Sequence, residues 1–155
     1  MYPSSSAAKR LPAPAALLPP SLADPYHRIR TALQAVVDGD NITSIVVSSP
    51  GTDEGKSTTA ANLGLAFAGI GTNVVLVDIN FRAPRVHEIF DVARSPGVSD
   101  VVLGPTSLEA ALIPTTDEPD TMKTVATGVS PFDPAAFMSS PPVRELLEEI
   151  EMLGE

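Results

Sequence analysis

Chemistry enters this sequence first at SSPGTDEGKST, Ser48 to Thr58. Gly55, Lys56 and Ser57 stand in succession there, between a β-branched apolar run and an Ala-rich stretch. A loop of this kind binds phosphate because successive backbone N–H groups and a helix start point at one anion. The lysine reaches the outer phosphates and the hydroxyl joins a Mg²⁺ shell. The spacing departs from G-x-x-x-x-G-K-[ST] at its first position, since Pro50 stands six residues before Lys56 and Gly51 comes one place later. An ordinary strand-to-helix turn would explain Gly55 by a positive φ and Ser57 or Thr58 by capping. It gives no reason for a lysine at a helix start, where the dipole disfavours a cation. Asp53 and Glu54 are awkward beside a phosphate, so the reading requires their side chains to point outward while backbone donors face the ligand.

A second polar group closes the apolar run NVVLV: Asp78, Asn80 and Arg82, within VVLVDINFRAPRVHEIF. Locally, Asp78 and Asn80 read equally well as a strand-end turn whose side chains bond their own backbone. The phosphate loop upstream is what favours a ligand-facing role. Other chemistries are excluded by residue type. Cysteine is absent, which removes disulfides, thiolate metal sites and a Cys nucleophile, and His27 and His87 are too few for a poly-His metal site.

The elements that must position these residues follow from periodicity. Ile42 to Ser48 is a β-branched run bounded by turn residues and is expected as a buried strand. Lys56 to Ile70 is Ala-rich and proline-free with Gly71 as C-cap, hence a helix. Asn73 to Val77 is expected as a second strand buried on both faces, completing a βαβ unit. Upstream, DPYHRIRTALQAVV spaces Tyr26, Ile29, Leu33 and Val36 to Val37 for an amphipathic helix. Downstream, short helices are expected at about Val86 to Phe90, Ser99 to Leu103 and Ser107 to Leu112, and a third strand at Met122 to Ala126. The clearest helix is the last: Ser140 at N-cap, Pro141 at N1, and Val143, Leu146, Leu147, Ile150 and Leu153 on one face.

Together, SSPGTDEGKSTTAANL, VVLVDINFRAPRVHEIF, SPGVSDVVLG and FDPAAFMSSPPVRELLEEI resemble the cytoplasmic ATPase domain of the bacterial tyrosine kinases of capsular and exopolysaccharide synthesis, over about Asp24 to Leu153. The resemblance implies an α/β, P-loop NTPase-like three-layer fold with a mainly parallel sheet. It implies ATP and Mg²⁺ as cofactors, with Lys56, Asp78 and Arg82 as catalytic residues. Asp53, Glu54, Gly55, Lys56, Ser57 and Thr58 would contact the nucleotide, and Ser57 and Asp78 the metal. The family's second motif is D-x-D-x-R, and here its second carboxylate is Asn80. A neutral amide can accept a metal-bound water but supplies neither charge nor base. Some members form rings through an E-x-x-R-x-x-R helix, whose positions here are Asp24, His27 and Arg30. The partners implied are a membrane polysaccharide co-polymerase or a fused membrane domain, a protein tyrosine substrate and a homo-oligomer. The location implied is cytoplasmic, at the inner face of the membrane.

The chain has 155 residues with 10 Lys+Arg and 19 Asp+Glu, a net charge of −9, so one domain is expected. An acidic body argues against nucleic acid as partner. Six of 16 prolines fall in the first 25 residues, so 1–23 reads as a Pro/Ala/Ser-rich linker and 24–155 as the kinase-type unit. No apolar run is long enough to span a membrane. In the resembling family a Walker B strand and a tyrosine-rich tail follow the last helix. This chain stops at Glu155, before either, and reads as a partial domain. Two alternatives stay open: a non-catalytic nucleotide-binding partner of a polysaccharide co-polymerase, and a ParA-like ATPase. The latter carries a signature Lys early in the loop, where this chain has Gly51.

Overall fold

The computed structural model describes residues 23–40, 42–115 and 121–153; the expected linker lies outside them apart from Ala23. Helix α1 spans Asp24–Asp40 and packs on α2, Lys56–Ala68. Tyr26 and Leu33 of α1 are half-buried, while Ile29 and Val36 stay exposed. Small residues let α2 approach the sheet closely: Ala61, Gly64, Ala66 and Ala68 are buried beside Leu63 and Phe67. Its end is closed by Gly71 at φ 88, with Gly71 N–H on the Ala68 carbonyl at 2.9 Å and Thr72 N–H on Phe67 at 3.3 Å. That pair of bonds is a Schellman cap. The expected capping glycine is therefore the right one, although the regular helix stops at Ala68.

Strands β1 (Val74–Val77), β2 (Ile113–Pro114) and β3 (Met122–Val125) form a sheet in the order β1-β3-β2. β1 and β3 are parallel, Val74 opposite Met122 and Val77 opposite Val125, whereas β2 runs antiparallel to β3. Among the described residues the sheet is thus mainly parallel, as expected, with a short antiparallel edge strand. Alternation along β1 divides the core. Val74 and Leu76 pack with Ala61, Ala68, Val86, Ile89, Phe90 and Met122. Val75 and Val77 face the cluster of Phe81, Val98, Val125, Phe137, Val143, Leu146 and Ile150. The first face carries α2 and α3 (Val86–Ile89). The second carries α4 (Val98–Leu103), α5 (Leu108–Ala111), α6 (Pro134–Met138) and α7 (Pro141–Glu151), giving three layers. Phe81 and Phe137 meet edge to face at 5.1 Å inside that second cluster.

Other expectations are met only in part. Ile42 to Ser48 forms no strand: the segment has no ladder partner among the described residues, and Ile42, Ile45 and Val46 are exposed, Val46 at 81%. A β-branched run favours extended backbone, but a strand requires a neighbour's N–H and C=O groups, and β1 pairs only with β3 here. β1 is in consequence an edge strand: both of its faces are packed, as expected, but its four residues are only half-buried because one edge carries no partner among the described residues. Ser140 does take the N-cap position of α7, but its hydroxyl is buried without a hydrogen bond there. The hydrophobic stripe carries that helix, with Val143, Leu146 and Ile150 buried; Leu153 lies beyond its end and is exposed. Helix α6 was not anticipated, although Asp133, whose carboxylate accepts from Ala135 and Ala136 N–H at 3.0 Å each, and Pro134 at N1 are ordinary start signals.

Candidate functional site: the 49–58 loop and the turn after β1

The loop reverses through two left-handed residues, Asp53 at φ 57 and Gly55 at φ 84, before α2 begins at Lys56. Gly55 adopts this conformation without strain. At Asp53 it is the type of residue, short and polar, that tolerates it. Ser57 and Thr58 occupy the first turn of α2, half-buried. Lys56 Nζ lies 3.4 Å from the Gly51 carbonyl, which also accepts the Ser49 hydroxyl at 2.9 Å. The lysine is therefore folded back along the loop.

The acidic pair is not simply turned outward. Asp53 is exposed and faces the Arg85 guanidinium at 3.7 Å. Glu54 bends back, and its Oε2 accepts the Gly51 N–H at 2.9 Å. The expectation that both side chains point away from the backbone donors thus fails for Glu54. The left-handed turn at Asp53 is what brings residue 54 over residue 51.

Asp78 ends β1 and is buried, 4% exposed. Its Oδ1 accepts Asn80 N–H at 3.0 Å, and its Oδ2 accepts Arg85 and Val86 N–H at 3.1 Å each. The carboxylate thereby satisfies the Asn80 amide in the turn after β1 and the Arg85 and Val86 amides at the start of α3. Asn80 is locked as well: Nδ2 donates to the Ala83 carbonyl at 2.7 Å, and Oδ1 accepts Ala83 N–H at 3.3 Å. Both residues thus make the local turn bonds that the sequence offered as one of two readings. Arg82, expected to be catalytic, is exposed. Arg85, expected beside the phosphate site with Lys56 and Arg82 but not among the catalytic or nucleotide-contacting residues, joins the two halves of the site: backbone to Asp78, side chain to Asp53 and, at 2.7 Å, to Glu88. That hydrogen bond and charge raise the Arg85 pKa and lower that of Glu88. The sequence signals for Arg85 are its charge beside the expected phosphate site and its place just ahead of a helix start, seven residues after Asp78.

Among the described residues no three His, Asp or Glu side chains cluster as a metal cage. A carboxylate has roughly four acceptor directions. Asp78 uses three, so one remains. A serine hydroxyl and a carboxylate oxygen are donor types that Mg²⁺ accepts, an ion that takes few protein ligands and fills the rest with phosphate and water. An open hollow of about 310 Å³ lined by Ser99, Asp100, Leu103, Val129 and Ser130 holds none of these residues and has no bearing on them.

Fold and loop together define an α/β protein with the P-loop kinase-domain architecture. Known proteins agree. The tyrosine-protein kinase YwqD of Bacillus subtilis is 34% identical over 124 residues, which are 80% of this chain and 52% of that protein. The crystal structure of the chimerical protein CapA2B2 superposes with a TM-score of 0.74 at 27% identity, covering 83% of this chain and 56% of that one. The succinoglycan biosynthesis transport protein ExoP of Rhizobium meliloti is 26% identical over 92 residues, 59% of this chain and 12% of that protein. No protein-family model matches the chain. The chain is related to the bacterial tyrosine kinases, and it spans about half or less of the length of these relatives.

Proposed function

We propose that the chain supplies the nucleotide-binding part of a protein-tyrosine kinase acting in capsular or exopolysaccharide synthesis, transferring the γ-phosphoryl group of ATP to tyrosine. The observation that carries this is the loop itself: left-handed turns at Asp53 and Gly55 running into α2, with Lys56 at its first position. Backbone amides of 51–58 would cradle the phosphates and Lys56 would neutralise them. Mg²⁺, when bound, supplies charge that stabilises the transferring phosphoryl group. Ser57 would contribute its hydroxyl to that ion and Asp78 its remaining acceptor direction. Among the described residues no helix is long and apolar enough to cross a membrane, so recruitment to the membrane would come through a co-polymerase partner or a fused domain.

Asn80 favours a second reading, a nucleotide-binding regulatory partner without kinase activity, because its amide is engaged on both sides by Ala83 and carries no charge. The test is ATP binding and tyrosine autophosphorylation of the full-length protein. Mg²⁺-dependent ATP binding lost in Lys56→Met, together with label on tyrosine, is the expected result. Binding without tyrosine label supports the regulatory reading, and no binding at all refutes both.

A further inference from the structure

We propose that Glu54 is a built-in competitor for the nucleotide's phosphates, its carboxylate seated on the Gly51 amide that a phosphate oxygen would otherwise take. This rests on reading the loop as a nucleotide site and adds to it a means of setting affinity. The contact is specific: Gly51 N–H donates to Glu54 Oε2 at 2.9 Å. A Cβ on residue 51 would lie 2.9 Å from Glu54 Oε1, so the carboxylate rests against the bare face of this glycine. A similar contact elsewhere in the protein, Asp100 Oδ2 on Gly97 N–H at 2.8 Å, serves a different purpose, because Asp100 lies in the first turn of α4 and closes that helix's start. Glu54 lies ahead of α2, outside any helix, where no helix needs the bond.

Carboxylate and phosphate compete for the same backbone donors because both are oxyanions that gain from charge-assisted N–H bonds. Lys56 and Glu54 form no ion pair among the described residues; the lysine Nζ lies instead 3.4 Å from the Gly51 carbonyl. Glu54 is itself exposed, so it can swing into solvent without disturbing the core. Apparent nucleotide affinity then equals the intrinsic affinity reduced by the fraction of molecules whose Gly51 amide is free.

The experiment measures ATP·Mg²⁺ affinity by calorimetry for the full chain, for Glu54→Ala and for Glu54→Gln. Glu54→Ala is expected to bind roughly three- to tenfold more tightly, the range corresponding to one net hydrogen bond. Glu54→Gln, which keeps a weaker acceptor, is expected to fall between. The gain should persist at about 0.5 M salt, where repulsion between exposed charges is largely screened but a direct contact is not. The amide proton of Gly51 provides an independent readout in the absence of nucleotide: downfield in the wild type and shifted upfield in Glu54→Ala. An unchanged Gly51 resonance, or a gain that disappears in salt, overturns the proposal in favour of simple charge repulsion. If Glu54→Ala binds ATP no better than wild type, the nucleotide reading stands and the competitor role fails. If neither protein binds ATP while the Gly51 resonance still shifts, the nucleotide reading fails and takes the competitor role with it.

Discussion

Replacing Asp78 should damage the fold as well as the chemistry, and the size of the damage can be worked out from its bonds. Three backbone N–H groups end on this buried carboxylate, those of Asn80, Arg85 and Val86. Hydrogen bonds to a charged group contribute about 1.5–3 kcal/mol each, and a lost N-cap alone costs about 1–2 kcal/mol. The three share one acceptor, so they do not add in full. Asp78→Ala is therefore expected to lose about 3–5 kcal/mol, a large share of the roughly 5–15 kcal/mol that holds an ordinary domain together. Asp78→Asn keeps one oxygen for the Arg85 and Val86 amides but turns an NH₂ toward Asn80 N–H, donor against donor. It should lose about 2–4 kcal/mol, one contact in full and the charge assistance of the other two. Urea unfolding followed by circular dichroism reads both variants, with equal m-values showing that the same transition is being compared. If Asp78→Ala unfolds within about 0.5 kcal/mol of wild type, the capping role is wrong and Asp78 serves a ligand alone. The prediction also bears on function, since loss of activity in an Asp78 variant establishes a metal role only when the variant is shown to be folded.

Gly97→Ala should be among the most damaging single changes, because a Cβ there would run into the Ala126 carbonyl and the Gly128 amide, backbone on both sides. A loss of more than about 3 kcal/mol, or no soluble protein, is expected by thermal melting, and wild-type stability would contradict the close approach. Asn80→Asp exchanges the 2.7 Å bond to the Ala83 carbonyl for two facing oxygens, so a loss of about 1–2 kcal/mol is expected without metal. If a second carboxylate can still serve the site, Mg²⁺·ATP should recover more stability in this variant than in wild type, by differential scanning fluorimetry. The lowered Glu88 pKa gives stability that is present above the ordinary carboxylate range and is lost as pH falls through the lowered value. Both side chains are about half exposed, so the effect should be small, weaken with salt, and vanish in Arg85→Ala.

Much of this was legible in the residues, and the exceptions share a cause. Helix α7 could be read because its 3.6-residue stripe needs only one apolar surface to pack on, and Phe81, Val98 and Val125 supply it. Gly71 could be read because a left-handed cap is a property of a few consecutive residues. Ile42 to Ser48 could not, because a strand is a relation between two segments and the sequence shows only one of them. The Glu54 contact was hidden for a related reason. It depends on a left-handed Asp53, and a non-glycine residue in that conformation is seldom foreseen from its type. At Asp78 and Asn80 both readings drawn from the sequence bear on the same atoms, since turn bonds fill most of the acceptor capacity that a metal site would use.

That overlap ties the loop to the turn. Arg85 donates its backbone N–H to Asp78 and extends its guanidinium to Asp53, so the placement of one side chain depends on how the other carboxylate is capped. On the other side of the loop, residues 42–48 make no ladder bond among the described residues, and the contacts the loop does make are its run into α2, the Gly51 bonds and this exposed ion pair. A perturbation at Asp78 should accordingly reach the loop even where the metal plays no part. Without nucleotide, Asp78→Asn is expected to shift the amide resonances of Asp53 and Glu54 as well as those of Asn80 and Val86. In an Arg85→Ala background the same substitution should shift only the latter pair. If the loop resonances move equally in both backgrounds, Arg85 is not the link, and the turn and the loop are coupled through α2 and the sheet instead.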